Sequence, residues 1–363
     1  MKSYRIFSRN AKYAAAVFLI GLVTIFHDIK LDNLDQSYDV DDDYMSSDKY
    51  ISTTDERGVS DDDLSPRSRC QIVYLLGVEG TMHHGVEPII ATLAASQTDP
   101  ETGTAFAVHS KSKDLRYGLF APTGSRLGFD SPPAMDDPKF VKKVISSICP
   151  NDGRKHIVIE AASFPCGGKF RVSRGNGSRV WREMTPEAIA NSEMALEHPT
   201  NLYKFYDAYS KYADVKFLAL HRPFLETIAS HRTWDSGPIP HSNIIQGFLI
   251  LHKRFLDIHK TDPITGDNVW TVIHVEKLSI KYHGLWHNRK ERKQALEARK
   301  DMIRNVATFL GWPKVTCKQC FESWRDSTTD YSQVFEPELL KILTEHKESL
   351  SGIWPPVEAQ TIV

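Results

Sequence analysis

The run Ile72-Val73-Tyr74-Leu75-Leu76-Gly77-Val78-Glu79-Gly80-Thr81-Met82-His83-His84 decides how the rest of the chain is read. Ile72–Leu76 lacks the polar alternation of a half-exposed strand, so it reads as a strand covered on both faces, as in a parallel sheet. A glycine-bearing turn then enters a helix. Glycines let backbone N–H groups close around an anion, and the helix start adds about half a positive charge. The turn therefore reads as a phosphate loop, with Val78, Glu79, Gly80, Thr81, Met82 and His83 as its candidate residues. A plain strand-to-helix turn is the alternative. A Walker A loop is excluded, because GxxxxGK[ST] requires a lysine that His83 and His84 do not replace in type or spacing.

Outward from this stretch the pattern repeats. Ile157–Ile159, Val215–Leu220 and Val269–Val275 are further short apolar runs. Helical segments are expected near 84–96, 186–211, 223–234 and 290–310. Strand and helix in alternation imply an α/β fold with a parallel central sheet, helices on both faces and right-handed crossovers. Ligands in such folds bind at the carboxyl ends of the strands. The strand Val215–Leu220 ends in His221-Arg222-Pro223, and Ser230 comes eight residues after Arg222. A guanidinium fork plus a hydroxyl suits a second phosphate. An arginine that merely caps a carbonyl is the alternative for Arg222.

These landmarks resemble the sulfotransferases that use 3′-phosphoadenosine 5′-phosphosulfate (PAPS), a family with a P-loop-NTPase-like sheet. Val78-Glu79-Gly80-Thr81-Met82 answers the family's 5′-phosphosulfate loop. Arg222, Pro223 and Ser230 match its 3′-phosphate motif in residue and spacing. Val275-Glu276-Lys277-Leu278 is similar to its Tyr-Glu-Asp-Leu segment, and Val306-Ala307-Thr308-Phe309-Leu310-Gly311-Trp312-Pro313 to its Phe-Leu-Gly helix. Two features depart from the family. Val78 stands where a lysine or arginine is usual, so His83 or His84 is expected to supply the missing donor. The family's Arg-Lys-Gly loop is absent, Ser323-Trp324-Arg325-Asp326-Ser327 being the nearest counterpart. The resemblance implies an enzyme that moves a sulfuryl group from PAPS, its co-substrate, to a hydroxyl of a glycan or glycoprotein. A protein-tyrosine acceptor and a catalytically impaired binding protein are the alternatives.

Sulfuryl transfer needs a base beside the acceptor hydroxyl. Glu160, read as lying at the carboxyl end of its strand, is the first candidate; His83 is the second, with His84 and His109 behind it. Trp234, Asp235 and the Gly237-Pro238 turn are expected at the acceptor cleft. No metal is expected: His241, His252 and His259 form no HxxxH or HExxH pattern and read as surface or interface residues.

Composition agrees with a globular enzyme. The 363 residues are 41% hydrophobic and 25% charged, with a net charge of −1. That sum hides +4 over residues 1–31, −10 over 32–63 and +5 over 64–363. The last value is too weakly basic for a nucleic-acid partner. Lys2, Arg5, Arg9 and Lys12 precede the apolar run Ala14–Phe26, a positive-inside arrangement without a small-x-small cleavage site. The expected plan is a cytoplasmic tail (1–12), one transmembrane signal anchor (13–27), an acidic stalk (28–65) and a luminal domain (66–363). A cleaved signal peptide is the alternative for the apolar run. By resemblance the location is the Golgi membrane, single-pass type II, with the membrane as a partner through the anchor. The rival luminal enzyme, a glycosyltransferase, would show an Asp-x-Asp outside the stalk, and none occurs there. Cys317-x-x-Cys320 is read as a local disulfide, since no second pair completes a zinc site. Asn176-Gly177-Ser178 is a glycosylation sequon.

Overall fold

A computed structural model describes residues 66–78, 80–110, 137–164, 184–192, 202–230, 237–278, 289–314, 320 and 334–355. The expected tail, anchor and stalk lie outside these residues. So do Glu79, Cys166, the sequon at 176–178, Trp234, Asp235, Cys317 and the segment 323–327. Among the described residues no helix is long and apolar enough to cross a membrane.

After a short helix α1 (Pro66–Arg69), strand β1 (Cys70–Val78) is buried along its whole length. Next in the chain are helix α2 (His83–Ala95), strand β2 (Ala107–His109), helix α3 (Pro138–Ile148) and strand β3 (His156–Phe164). Two short helices, α4 (Pro186–Ala190) and α5 (Leu202–Tyr209), lead into strand β4 (Asp214–His221). Then come α6 (Phe224–Ala229), α7 (Pro238–Ile258), strand β5 (Trp270–His274), α8 (Val275–Leu278), α9 (Arg289–Phe309) and α10 (Pro337–Ser349). The five strands form one sheet in the order β2-β3-β1-β4-β5, and every pairing is parallel. The expected α/β architecture is present. The helices differ in extent: among the described residues of 186–211 one helix ends at Ala190 and another begins at Leu202, and the segment after Pro223 ends at Ala229 rather than 234.

Alternate residues of each strand feed two cores. Ile72, Tyr74 and Leu76 join Phe217, Ala219 and side chains of α3, α5, α6 and α7 on one face. Val73 and Leu75 join Leu218, Leu220 and side chains of α2 and α9 on the other. This is the reason the runs carry no polar alternation: a residue on either face of a doubly covered strand leaves water. Each fully buried Leu, Ile or Phe contributes about 1.5–3 kcal/mol relative to exposure.

The segment resembling the Phe-Leu-Gly helix closes the fold. Gly311, at φ 68°, ends α9 in the left-handed region that glycine tolerates. Trp312, 3% exposed, then donates from Nε1 to Gln71 Oε1 at 2.7 Å, while Gln71 Nε2 reaches Asp214 Oδ2 and Leu310 O. Three chain segments, β1, β4 and the end of α9, are thereby tied together at the amino end of β1.

Cys70 and Cys149 form a disulfide across 79 residues, joining the start of β1 to the end of α3. Cys320 is also disulfide-bonded, to a partner outside the described residues.

Burial holds three imidazoles below the ordinary histidine value: His109, His259 and His346. His259 rests against the Tyr206 and Phe255 rings at 4.7 and 4.8 Å. In the unfolded chain these groups take protons at about pH 6.5, before the native state does. Their contribution is therefore complete above that pH and declines as pH falls through it. Calorimetric melting is expected to shift downward between about pH 7.5 and about pH 5.5, and His259→Phe to reduce the slope. An equal slope in the variant removes His259 from the account.

Candidate functional site

The helices after β1 and β4 leave the sheet on opposite faces, since α2 packs into one core and α6 into the other. β1 and β4 are neighbours. Their carboxyl ends therefore border a topological switch point, the place where open α/β sheets bind ligands.

The loop at this point is built around two glycines and a threonine. A Cβ on Gly77 would lie 2.3 Å from Thr81 Oγ1, so only glycine lets the loop fold back on the strand. The Thr81 hydroxyl donates to Val78 O at 2.7 Å and its amide to the same oxygen at 3.1 Å. Gly80 has φ 91°, open to glycine alone among ordinary residues. Met82, at φ 63° and ψ 29°, is the described non-glycine residue in the left-handed region and caps α2 without a side-chain acceptor. Strain of this kind gathers at binding loops, where the surroundings hold the backbone. The amides of Gly85 and Val86 in the first helical turn donate to Met82 O at 2.8 and 3.0 Å, so what this helix start offers an anion is at most the amides ahead of them.

Arg222 brings the second half of the site. Its Nη1 donates to Gly80 O at 2.7 Å, a buried bond across 142 residues, and its Nε stands 3.6 Å from Glu226 Oε2. The two sequence motifs thus meet, through a bond that is also the carbonyl cap given as the alternative for Arg222. Ser230 is exposed and caps the end of α6, its Oγ donating to Thr227 O at 2.7 Å. Pro223 is the cap residue before α6, and the helix ends at Ala229, which leaves Ser230 as the cap residue after it.

Three expected residues are placed differently. Val78 is 1% exposed with its side chain in the hydrophobic core, so any contact it makes with an anion runs through its main chain. Glu160 is not at a strand end: β3 continues for four residues to Phe164, and Glu160 lies opposite Tyr74. The reason is that Ala161-Ala162-Ser163-Phe164 stays in register with Leu75–Val78. At about 3.3 Å per residue this sets Glu160 about 13 Å back from the edge. His83 is the first residue of α2, 3% exposed, at the helix start beside the glycine loop. His84 lies in the same turn; its side chain lies outside the described residues. His109 belongs to β2, two strands from β1, where its Nε2 lies 3.1 Å from His156 Nδ1.

The histidines of α7 are corrected as well. His241 and His252 are 1% and 0% exposed, not at the surface, because the helix they sit on is sandwiched between the sheet and α10. Gly237-Pro238 is the cap and first residue of that 21-residue helix.

Sequence reading missed one cluster at the same edge. His221 and His274 are register partners at the ends of β4 and β5, and Glu276 comes next in α8. His274 Nδ1 is 3.0 Å from Glu276 Oε1, and His221 Nδ1 is 3.5 Å from it. Burial pushes the Glu276 carboxyl up, but the two imidazoles outweigh it and hold the group down at about 2. The signal in the sequence was a histidine ending each of two apolar runs. It could be paired only once β4 and β5 were known to be adjacent.

Comparison with protein-family models, with curated proteins and with solved structures returns no match for this chain.

Proposed function

We propose that this chain is a PAPS-dependent sulfotransferase acting on a hydroxyl of a glycan or glycoprotein. The observation that carries the reading is the bond from Arg222 to Gly80 O at the switch point. It joins the loop that resembles the family's 5′-phosphosulfate site to the residue that resembles its 3′-phosphate site. One ligand carrying two anionic groups at its two ends is what such a pairing suits.

In the reaction the acceptor oxygen attacks sulfur in line, the bond from sulfur to the bridging phosphate oxygen breaks, and the electron pair leaves with 3′-phosphoadenosine 5′-phosphate (PAP). The amides at the start of α2 stabilise the charge that grows on the leaving 5′-phosphate, while the Arg222 guanidinium holds the 3′-phosphate. The acceptor proton passes to a base. Of the two candidates, His83 stands at the edge and Glu160 lies back from it, so we assign the role to His83.

A Golgi-luminal position, with the chain held as a single-pass type II protein, belongs to the same reading. The Cys70–Cys149 bridge supports it, because structural disulfides persist in oxidising compartments. A second reading, a PAP-binding protein without transferase activity, is favoured by the burial of Val78, which leaves that loop position without a cation.

The test is calorimetric binding of PAP to the purified full-length chain in mild detergent. Micromolar affinity is expected, with a drop of about fivefold in Ser230→Ala for one hydrogen bond near 1 kcal/mol. A drop of more than about a hundredfold is expected when Arg222→Ala is added. Circular dichroism checks that each variant is folded. Absence of PAP binding by the folded wild type sinks both readings. Binding without transfer of labelled sulfuryl from PAPS to any of a panel of glycans selects the second.

A further inference from the structure

We infer that His221, His274 and Glu276 form a binding site for one divalent transition metal ion, zinc being the best match to the donor set. The inference stands apart from the sulfotransferase reading, since it needs neither PAPS nor an acceptor.

Its basis is the parallel register. His221 and His274 are paired across β4 and β5, so their side chains leave the same face at the same height. Their rings lie 5.1 Å apart, centroid to centroid. The chain then turns into α8, which returns the Glu276 carboxylate over the pair. One ligand atom from each residue falls within 4.8 Å of the others. Zinc bonds of about 2.0–2.1 Å place neighbouring ligand atoms about 3.3 Å apart in a tetrahedron. The 3.0 and 3.5 Å separations from Glu276 bracket that value.

Glu276 Oε2 lacks a hydrogen-bond partner among the described residues although it is shielded from water, and His221 Nδ1, equally shielded, has only Glu276 Oε1 at 3.5 Å, beyond ordinary hydrogen-bond length. Buried polar atoms are seldom left so. A cation satisfies both at once, accepting an imidazole lone pair and a carboxylate oxygen.

The donor chemistry distinguishes the class of ion. Two imidazoles and one carboxylate suit zinc and its neighbours, whereas magnesium and calcium prefer oxygen throughout. Two histidines and a glutamate are a ligand set of catalytic zinc sites, in which the fourth position is held by water or substrate. The side chains here are 19%, 31% and 32% exposed, so that fourth position opens to solvent rather than to the core. Continuing the β1–β4 register by two rungs sets Val78 level with His221. An ion in the cluster thus lies about one to two strand spacings, about 5–10 Å, from the phosphate loop.

The test uses the full-length chain, stripped with chelator and titrated with cobalt(II) alone, monitored by the visible d–d absorption that reports four-coordinate geometry. One cobalt per chain is expected, displaced by zinc. His274→Ala and Glu276→Gln are each expected to weaken cobalt binding by about a hundredfold or more, since loss of even an outer partner of a ligand costs about 10–100-fold. Both positions are partly exposed, and circular dichroism checks that the variants keep the native fold. Absence of stoichiometric cobalt in the wild type overturns the assignment. So does binding of equal strength in both folded variants.

Discussion

Gly77→Ala is expected to abolish PAP binding and to lower the melting temperature by about 4–16 °C, for a loss of about 2–4 kcal/mol. The added methyl group meets Thr81 Oγ1 at 2.3 Å and Leu220 at 3.4 Å. Thr81 cannot turn away cheaply. It is 2% exposed, β-branched, and its hydroxyl holds Val78 O at 2.7 Å. Either the loop lifts from β1 or the hydroxyl bond breaks, and both move the amides that begin α2. Because the clash is between two side chains, Gly77→Ala with Thr81→Ala is expected to recover part of the lost stability, a coupling that independent sites do not show. Calorimetric melting of the two single variants and the double variant measures it. A Gly77→Ala protein that melts and binds PAP as the wild type does would remove the loop from the account of the site.

The second large effect concerns the bridge between Cys70 and Cys149. Replacing both by alanine is expected to lower stability by about 4 kcal/mol, the loop-closure value for a ring of this length. The sequence separation is 79 residues. In melting temperature that is about 8–16 °C. Cys70 is fully buried at the first position of β1 while Cys149 is half-buried, so the extent of reduction in the folded chain is hard to control. The double variant is therefore the cleaner experiment. Non-reducing peptide mapping should recover the two peptides joined. Alkylation of both thiols in the folded wild type would refute the pairing, and an unchanged melting temperature in the variant would deny it any role in stability.

Much of the frame is legible in the chain itself. Strands at 72–76, 157–159, 215–220 and 269–275 are marked by apolar runs with no polar alternation, and all four are strands of the sheet. β2 escapes because it has three residues, half-buried at the sheet edge, too few for any period to show. α7 escapes for another reason. Gly237-Pro238 reads as a turn, although proline also suits the first position of a helix, where its missing N–H is not needed. α3 and α10 are likewise amphipathic segments that the apolar runs do not mark.

The site divides in the same way. Gly77, Gly80, Thr81, Arg222 and Ser230 are visible because a phosphate loop and a strand-end arginine are local patterns, written within a few residues of one strand. Glu160 is displaced because the sequence does not show where a strand stops: Ala161–Phe164 pairs onward with β1. The neighbouring strand makes that decision.

By itself, the sequence determined the doubly covered parallel strands, the glycine loop after the first of them and the arginine at the end of β4, since each depends on the chemistry of adjacent residues. Tertiary structure alone decided which distant residues share a place. His221 lies 53 positions before His274, and Cys70 lies 79 before Cys149. Strand order and register bring these pairs together, and both are set by how the whole chain packs its two cores rather than by any local pattern.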